Sequence, residues 1–390
     1  MSLDFDSARM ANPHITPEHE EWRRQIRRFM EREIMPHAEA WDEAGQLPDS
    51  LWQTAADAGV LQVGYPEEYG GISEGIDIWH MNILNEEFAR VAVGGLSASL
   101  LVHCIGLPPV LNFASGQIKQ MVAPQVLNGS KRISLAVTEP GAGSDVAQIS
   151  TTARREGDHY IVNGSKTYIT GGMGANWFTT AVRTGDEHKG GVSVLLIPAD
   201  LEGVSRTALE RKMGWWCSDT ATIYFDDVRV PAENLIGEEN KGFWVIVSNF
   251  NNERLTMSAA MEAYSRVCLE EAVNWARERK TFGQRLADHQ VIRHKIAEMK
   301  QRINATQAYL QACCLQVQNG NADFGDLALL KVQSSQTMEF CAREAMQILG
   351  GAGYMRGNRV ERIYREVRVN AIGGGSEEIM RDLAARQYRL

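Results

Sequence analysis

The sequence predicts an α+β chain of three domains in the order helical, strand-rich, helical. Apolar residues recur at helical spacing in the first third, and near residue 131 short runs of Val, Ile, Thr, Tyr and Phe take over, separated by Gly, Asn, Asp and Pro. Beyond Gly242 the glycine and proline signals thin out and Ala, Leu, Glu, Met, Arg and Gln dominate. The expected divisions are a helical domain at 1–130, a β domain at 131–236 and a helical domain at 237–390.

In the first domain Thr16 can cap a helix with Pro17 at its first position, and Trp22, Ile26, Phe29, Met30 and Ile34 follow at helical spacing. A second helix is expected after Leu47, with Pro48 near its start and Gly59 near its end, and a third from about Ile76 toward Val91. The uncharged stretch Val91 to Ser115 is interrupted by His103, Pro108, Pro109 and three glycines, which suits a buried helix and its following turn, not a bilayer span. Helix is expected to persist to about Leu127. In the middle domain Tyr160–Val162, Asn163-Gly164 and Thr167–Thr170 read as a hairpin around an Asn-Gly turn. Val192–Ile197 and Thr222–Phe225 read as further strands, and Pro231 marks the exit. In the last domain Ile292, Ile296, Met299, Ile303 and Leu310 share one helical face, and Leu327–Leu349 forms another helix. Methionines here are read as core filling.

Forty Lys and Arg against 49 Asp and Glu give a net charge of -9, which disfavours nucleic acid as a partner. The six cysteines are scattered without CxxC or Cys/His spacing, so free thiols are expected and no metal site is implied. The N-terminus carries Asp4 and Asp6 and no basic segment followed by an apolar one, so a cytoplasmic location is expected.

Three motifs carry chemistry. Val137–Asp145, VTEPGAGSD, joins hydroxyls to a proline-fixed turn and to two glycines that let a ligand approach the main chain; an ordinary surface turn is an equal reading of it alone. RKTFGQ follows at Arg279–Gln284 and QILGGAGY at Gln347–Tyr354. With these three in this order the chain resembles the acyl-CoA dehydrogenase family, from about Thr16 to Tyr388. The resemblance implies an N-terminal helical domain, a β-barrel-like middle domain and a C-terminal four-helix bundle. It also implies FAD as cofactor, an acyl-CoA substrate, an electron-transfer flavoprotein as acceptor and a homotetramer.

By the same resemblance Thr138 contacts the flavin, and Ser144 the pantetheine or nucleotide part of the thioester. Tyr168 and Thr170 of the YITGG segment neighbour the ring, although strand packing is an equal reading of Tyr168. Arg279 offers a fork that matches the FAD pyrophosphate, and Phe282 an apolar face. Gln347, Gly350 and Gly351 reach the FAD of a neighbouring subunit; no strand precedes that glycine run, so it is not a Rossmann fingerprint. Ser376 and Glu378 fall at FAD contacts and Asn251 at a substrate contact, with Glu378 standing where many relatives have Gln and Asn251 where they often have Asp.

The reaction needs a carboxylate to take the proton next to the thioester carbonyl. Many relatives place it in a Tyr-Glu-Gly-Thr segment near the C-terminus, where this chain has Gly373, Gly374, Gly375 and Ser376. A minority branch, which includes the long-chain and isovaleryl enzymes, keeps the base far upstream as a Glu that precedes Arg. Here Asn251-Asn252-Glu253-Arg254-Leu255 falls at that place, so Glu253 is implied as the base. The bland alternative is a solvated Glu on a helix. A dry site would raise its pKa toward the working range. Arg254 is implied in substrate binding, at the CoA phosphates or as a contact behind the site. The Gly374 N–H is implied as a donor to the thioester oxygen, and the missing side chain would open room for a long or branched acyl group. Two further readings stand beside this one: a flavin oxidase or monooxygenase of the same fold, and an acyl-CoA-binding protein without activity.

Overall fold

The computed structural model describes residues 3–185 and 188–390. Its first part consists of α1 (Pro17–Phe29), α2 (Ala38–Ala44), α3 (Ser50–Asp57), α4 (Ile78–Arg90), α5 (Gly94–Leu100), α6 (His103–Phe113) and α7 (Gly116–Leu127). Helix α1 begins as its cap predicts: Thr16 accepts from the His19 N–H, and the His19 ring accepts from the Thr16 N–H. Asp77 and His80 repeat this box at α4. The two boxes meet, since His19 Nε2 lies 3.0 Å and His80 Nδ1 2.9 Å from the same Asp77 Oδ1. One carboxylate thus joins two helix N-termini. Helix α2 was not foreseen; its seven residues are too few to show a period.

The expectation for Pro108 and Pro109 is corrected. Both lie inside α6 and do not begin a turn after it. Without an N–H, Pro108 leaves the carbonyl of Cys104, four residues earlier, without its helical donor. Asn249 Nδ2 supplies one across the domain boundary at 3.2 Å. By length and composition Gly94–Phe113 is apolar enough to cross a membrane, with mean hydropathy 1.5, but half of that window is buried inside the fold. The chain also breaks between α5 and α6.

The middle of the chain forms β1 (Ile133–Ala136), β2 (Thr152–Glu156), β3 (His159–Thr170), β4 (Trp177–Arg183), β5 (Val192–Pro198), β6 (Val204–Ala208) and β7 (Thr220–Pro231). They make one curled sheet in the order β1-β4-β2-β3-β7-β6, with β5 on β4. The expected hairpin at Asn163-Gly164 is not there. Strand β3 runs straight through it, and the tight turn lies at Gly157-Asp158, where Glu156 pairs with His159. Gly164 instead makes a bulge against β7, with φ +141 and backbone pressed on Thr151. Asn-Gly supplies positive φ to a bulge as readily as to a turn, and the sequence does not distinguish them.

The last part contains α8 (Gly242–Glu278), the short turn strands β8 (Lys280–Thr281) and β9 (Gln284–Arg285), α9 (Gln290–Gln318), α10 (Phe324–Leu349), α11 (Gly351–Tyr354), α12 (Arg359–Ile372) and α13 (Glu377–Gln387). Thr306 meets Thr337 at 2.8 Å and Lys295 meets Glu344, so α9 runs against α10. Arg359 bridges to Glu270 while Lys331 reaches Ala371, so α12 runs against both α8 and α10. Helices α8 and α10 are therefore parallel, and the four long helices form an up-down-up-down bundle. Buried Arg266 ties it to the first domain by ion pairs to Glu262 of α8 and Glu86 of α4.

A Cβ at position 164 would lie 2.7 Å from the Thr151 Cα. Gly164→Ala is expected to destabilise the fold by ~2–3 kcal/mol, read as a lowered urea midpoint with unchanged slope.

Candidate active site

Glu253 sits in the early turns of α8 and faces the loop between α12 and α13. That loop is Gly373-Gly374-Gly375, with Gly374 at φ +67 and Gly375 at φ +104, conformations that side chains rarely adopt. A Cβ built on Gly374 would lie 3.9 Å from Glu253 Oε1. The position that lacks a carboxylate and the position that carries one are thus within side-chain reach of the same space.

The loop is held by two cations. Arg254 Nε donates to the Gly374 carbonyl at 3.2 Å, and its Nη1 donates to Asn251 Oδ1 at 3.0 Å. Lys331, fully buried on α10, donates to Ala371 O at 3.0 Å and Gly375 O at 2.7 Å. Among the described residues the Gly374 N–H meets no acceptor. Part of the Glu253 side chain remains accessible, but its carboxyl is desolvated, and burial raises its pKa to about 7 against the pull of Arg254 and Lys331. Burial likewise lowers Lys331 to about 8.

The VTEPGAGSD loop is anchored from beneath. Glu139 accepts from Lys166 Nζ at 2.7 Å, from the Ser150 N–H at 2.6 Å and hydroxyl at 2.7 Å, and from the Thr151 N–H at 2.9 Å. Burial alone would raise the Glu139 pKa, yet Lys166 and these hydrogen bonds hold it near about 2. Among the described residues Lys166 has Glu139 and the Val137 carbonyl to offset complete burial, and burial lowers its own pKa to about 8. The pair fixes the loop floor while Ser144 is exposed on its rim and Thr138 is half-buried. The Thr138 carbonyl accepts from the Thr167 N–H at 2.8 Å, which places Tyr168 beside this loop. Tyr168 stands on a second bulge of β3, at φ +59, and is 69% exposed. Packing within the sheet does not explain an aromatic held out in that conformation. Thr170 is half-buried at the strand end, and Gly171 packs on Val102. From Val102 the contacts continue to Cys104, whose carbonyl is held by Asn249, one helical turn before Glu253.

Ser376 caps α13 immediately after the glycine loop, half-buried, and Glu378 is exposed in the first turn. The remaining expected cofactor residues lie elsewhere. Arg279, Phe282, Gln347, Gly350 and Gly351 are exposed at the opposite end of the bundle, with Phe282 98% exposed in the β8–β9 turn. At about 1.5 Å per residue the stretch of α8 between Glu253 and Arg279 is roughly 39 Å long.

Family models describing the N-terminal, middle and C-terminal domains of acyl-CoA dehydrogenases match residues 16–130, 134–228 and 240–388. The chain belongs to the acyl-CoA dehydrogenase family. An acyl-CoA dehydrogenase of Alternaria alternata is 36% identical over 97% of this chain and 93% of the relative. The long-chain specific enzyme of Mus musculus is 34% identical over 96% and 87%. A crystal structure of a probable acyl-CoA dehydrogenase from Mycobacterium abscessus superimposes with TM-score 0.93 at 41% identity, covering 96% of this chain and 99% of that one. The enzyme is therefore an FAD-dependent acyl-CoA dehydrogenase, an oxidoreductase.

The residues on the Glu253 side fit the flavin part of FAD: an exposed aromatic, Tyr168, on a strained bulge with hydroxyls at Thr138 and Thr170 beside it. One expectation about the dehydrogenase's pocket is corrected. The room beside Gly374 is not vacant, since Met257 Sδ lies 2.9 Å from the Cβ position. Sequence reading also missed Lys166, Lys331, Asn249 and Met257. No motif flags them; their roles follow from partners as much as 145 residues away.

Lys166→Met strands Glu139 in the interior and is expected to cost about 3 kcal/mol in chemical denaturation. The depressed Glu139 pKa contributes stability above the ordinary carboxyl value of 4.5, and that contribution is lost as pH falls toward about 2. The variant should therefore show a shallower acid limb in its stability profile than the wild type.

Proposed function

We propose that Glu253 is the general base that takes the α-proton of an acyl-CoA thioester, yielding the trans-2-enoyl-CoA. The observation that supports this reading is the 3.9 Å between Glu253 Oε1 and the Cβ position of Gly374, the position that by resemblance corresponds to the carboxylate of the other branch. With a pKa of about 7 the carboxyl is basic enough to accept a carbon-bound proton and still substantially ionised near neutrality. The free Gly374 N–H donates to the thioester oxygen as negative charge grows there, which acidifies the α-carbon. FAD, when bound, accepts the hydride from the β-carbon. Thr138, Tyr168, Thr170, Ser376 and Glu378 hold the flavin part, while Ser144, with Asn251 and Arg254 behind it, serves the thioester side.

A substrate with a long or branched acyl chain suits this reading. The wall beside the reacting carbons is Met257, an unbranched side chain that can change rotamer to fit different acyl shapes. Arg279, Phe282, Gln347, Gly350 and Gly351 lie too far along the bundle to serve the same flavin as Glu253. They are assigned to the FAD of a neighbouring subunit, in a homotetramer arranged as a dimer of dimers, with an electron-transfer flavoprotein as acceptor.

Glu253→Gln is expected to keep FAD and fold but to lose roughly 10²–10⁴-fold in turnover, measured by anaerobic flavin bleaching with an acyl-CoA. Since the base must be unprotonated, wild-type kcat/KM should fall tenfold per pH unit below about 7. Near-normal bleaching by the variant would reject the assignment. The shared FAD site makes a separate forecast. Mixing Glu253→Gln chains with Arg279→Ala chains and reassembling them should recover activity that neither has alone, because one interface of each hybrid then carries both native residues. Absence of recovery in mass-verified hybrids would place both residues at one flavin.

A further inference from the structure

The three glycines between α12 and α13 have no side chains to hold the loop in place. A catalytic N–H on such a loop acts only if the surrounding backbone fixes its direction. Four groups around the Gly374 N–H are fixed: Gly373 N–H donates to Val369 O at 2.7 Å, Arg254 grips Gly374 O, and Lys331 grips Ala371 O and Gly375 O. Among the described residues the N–H groups of Gly374 and Gly375 are left without a partner, and the Gly374 N–H lies between the fixed groups.

We propose that Lys331 is a positioning residue for the dehydrogenation: with Arg254 it clamps the glycine loop so that the Gly374 N–H and the Glu253 carboxyl face one thioester group. Its contacts distinguish it from an ordinary buried lysine. Among the described residues no carboxylate lies within ion-pair distance of Nζ, and the two hydrogen-bond acceptors are both carbonyls of this loop or its helix end. The charges that face it are Glu253 and Arg254 from α8 and Glu377 and Glu378 from α13. Its ammonium also favours the ionised form of Glu253, which faces one other cation, Arg254, and the titratable thiol of Cys104 on α6.

This proposal rests on Glu253 as the base, and its test separates the two. A 3-thiaacyl-CoA has sulfur at position 3 and no hydride to give, so exchange of its α-proton with D2O reads deprotonation alone. With FAD-loaded Lys331→Met, exchange on the alkaline plateau should fall about tenfold or more, with the probe's Kd changed by less than about twofold. The pH midpoint of exchange should move upward from about 7, because a cation that favours the carboxylate is gone. Lys331→Arg should return the midpoint toward the wild-type value even if the rate recovers only in part. Wild-type rate and midpoint in FAD-loaded Lys331→Met would overturn the proposal, and so would failure of both variants to hold FAD, which marks a purely structural lysine. Glu253→Gln is measured alongside. If it still exchanges, the base assignment fails; if it is silent while Lys331→Met behaves as wild type, only the clamp fails.

Discussion

The site depends on one desolvated carboxyl placed on a rigid helix next to a loop that has no side chains. Removing water from Glu253 raises its affinity for a proton, and two nearby cations limit that rise so that the group stays partly ionised near neutrality. Neither effect alone would serve: an isolated buried carboxyl would remain protonated, and one directly ion-paired would be too weak a base. The cations avoid a direct ion pair with Glu253 because carbonyls of the glycine loop occupy them. Tuning of the Glu253 carboxyl and shaping of the loop are therefore one arrangement, not two.

The same economy links the domains. Pro108 removes a helical donor from α6, which would leave a carbonyl unsatisfied in a region that has little access to water. Asn249 fills the place, and in doing so ties α6 to the face of α8 that carries Glu253 one turn later. From there Val102 and Gly171 lead to the strand end that bears Thr170. The floor beneath the VTEPGAGSD loop is fixed independently by Glu139 and Lys166, a buried pair in which the hydrogen bonds hold Glu139 ionised far below neutrality.

Much of this was legible in the sequence where the signal is local. The Thr16-Pro17 cap, the amphipathic spacing of α1 and α9, the change of texture near residue 131 and the end of β7 at Pro231 all depend on near neighbours. The relation between Glu253 and Gly374 was also legible, but only because two departures from a family pattern compensate each other. What was not legible has long-range causes. Asn163-Gly164 became a bulge because Thr151 presses on it from outside its own strand, and α6 absorbed two prolines because α8 supplies a donor. Lys331 and Lys166 look like ordinary lysines until folding removes them from water.

The length of α8 has its own consequence. A helix of 37 residues puts Glu253, the proposed base, in its first third and the arginine of the RKTFGQ turn just past its far end, and a straight helix holds the two apart. The exposed Arg279 and Phe282 end therefore stands apart from the space that Glu253 faces. An aromatic ring 98% exposed at the tip of a tight turn, where Phe282 itself takes φ +50, is held out at a conformational penalty, with an edge contact to the His289 ring at 6.3 Å between centroids. The exposed Gln347 and the glycines beyond it end α10, which runs parallel to α8, so the same bundle end gathers both motifs. The two motifs thus share one bundle end, apart from the glycine loop that faces Glu253, and that separation is what the proposed flavin site between subunits rests on.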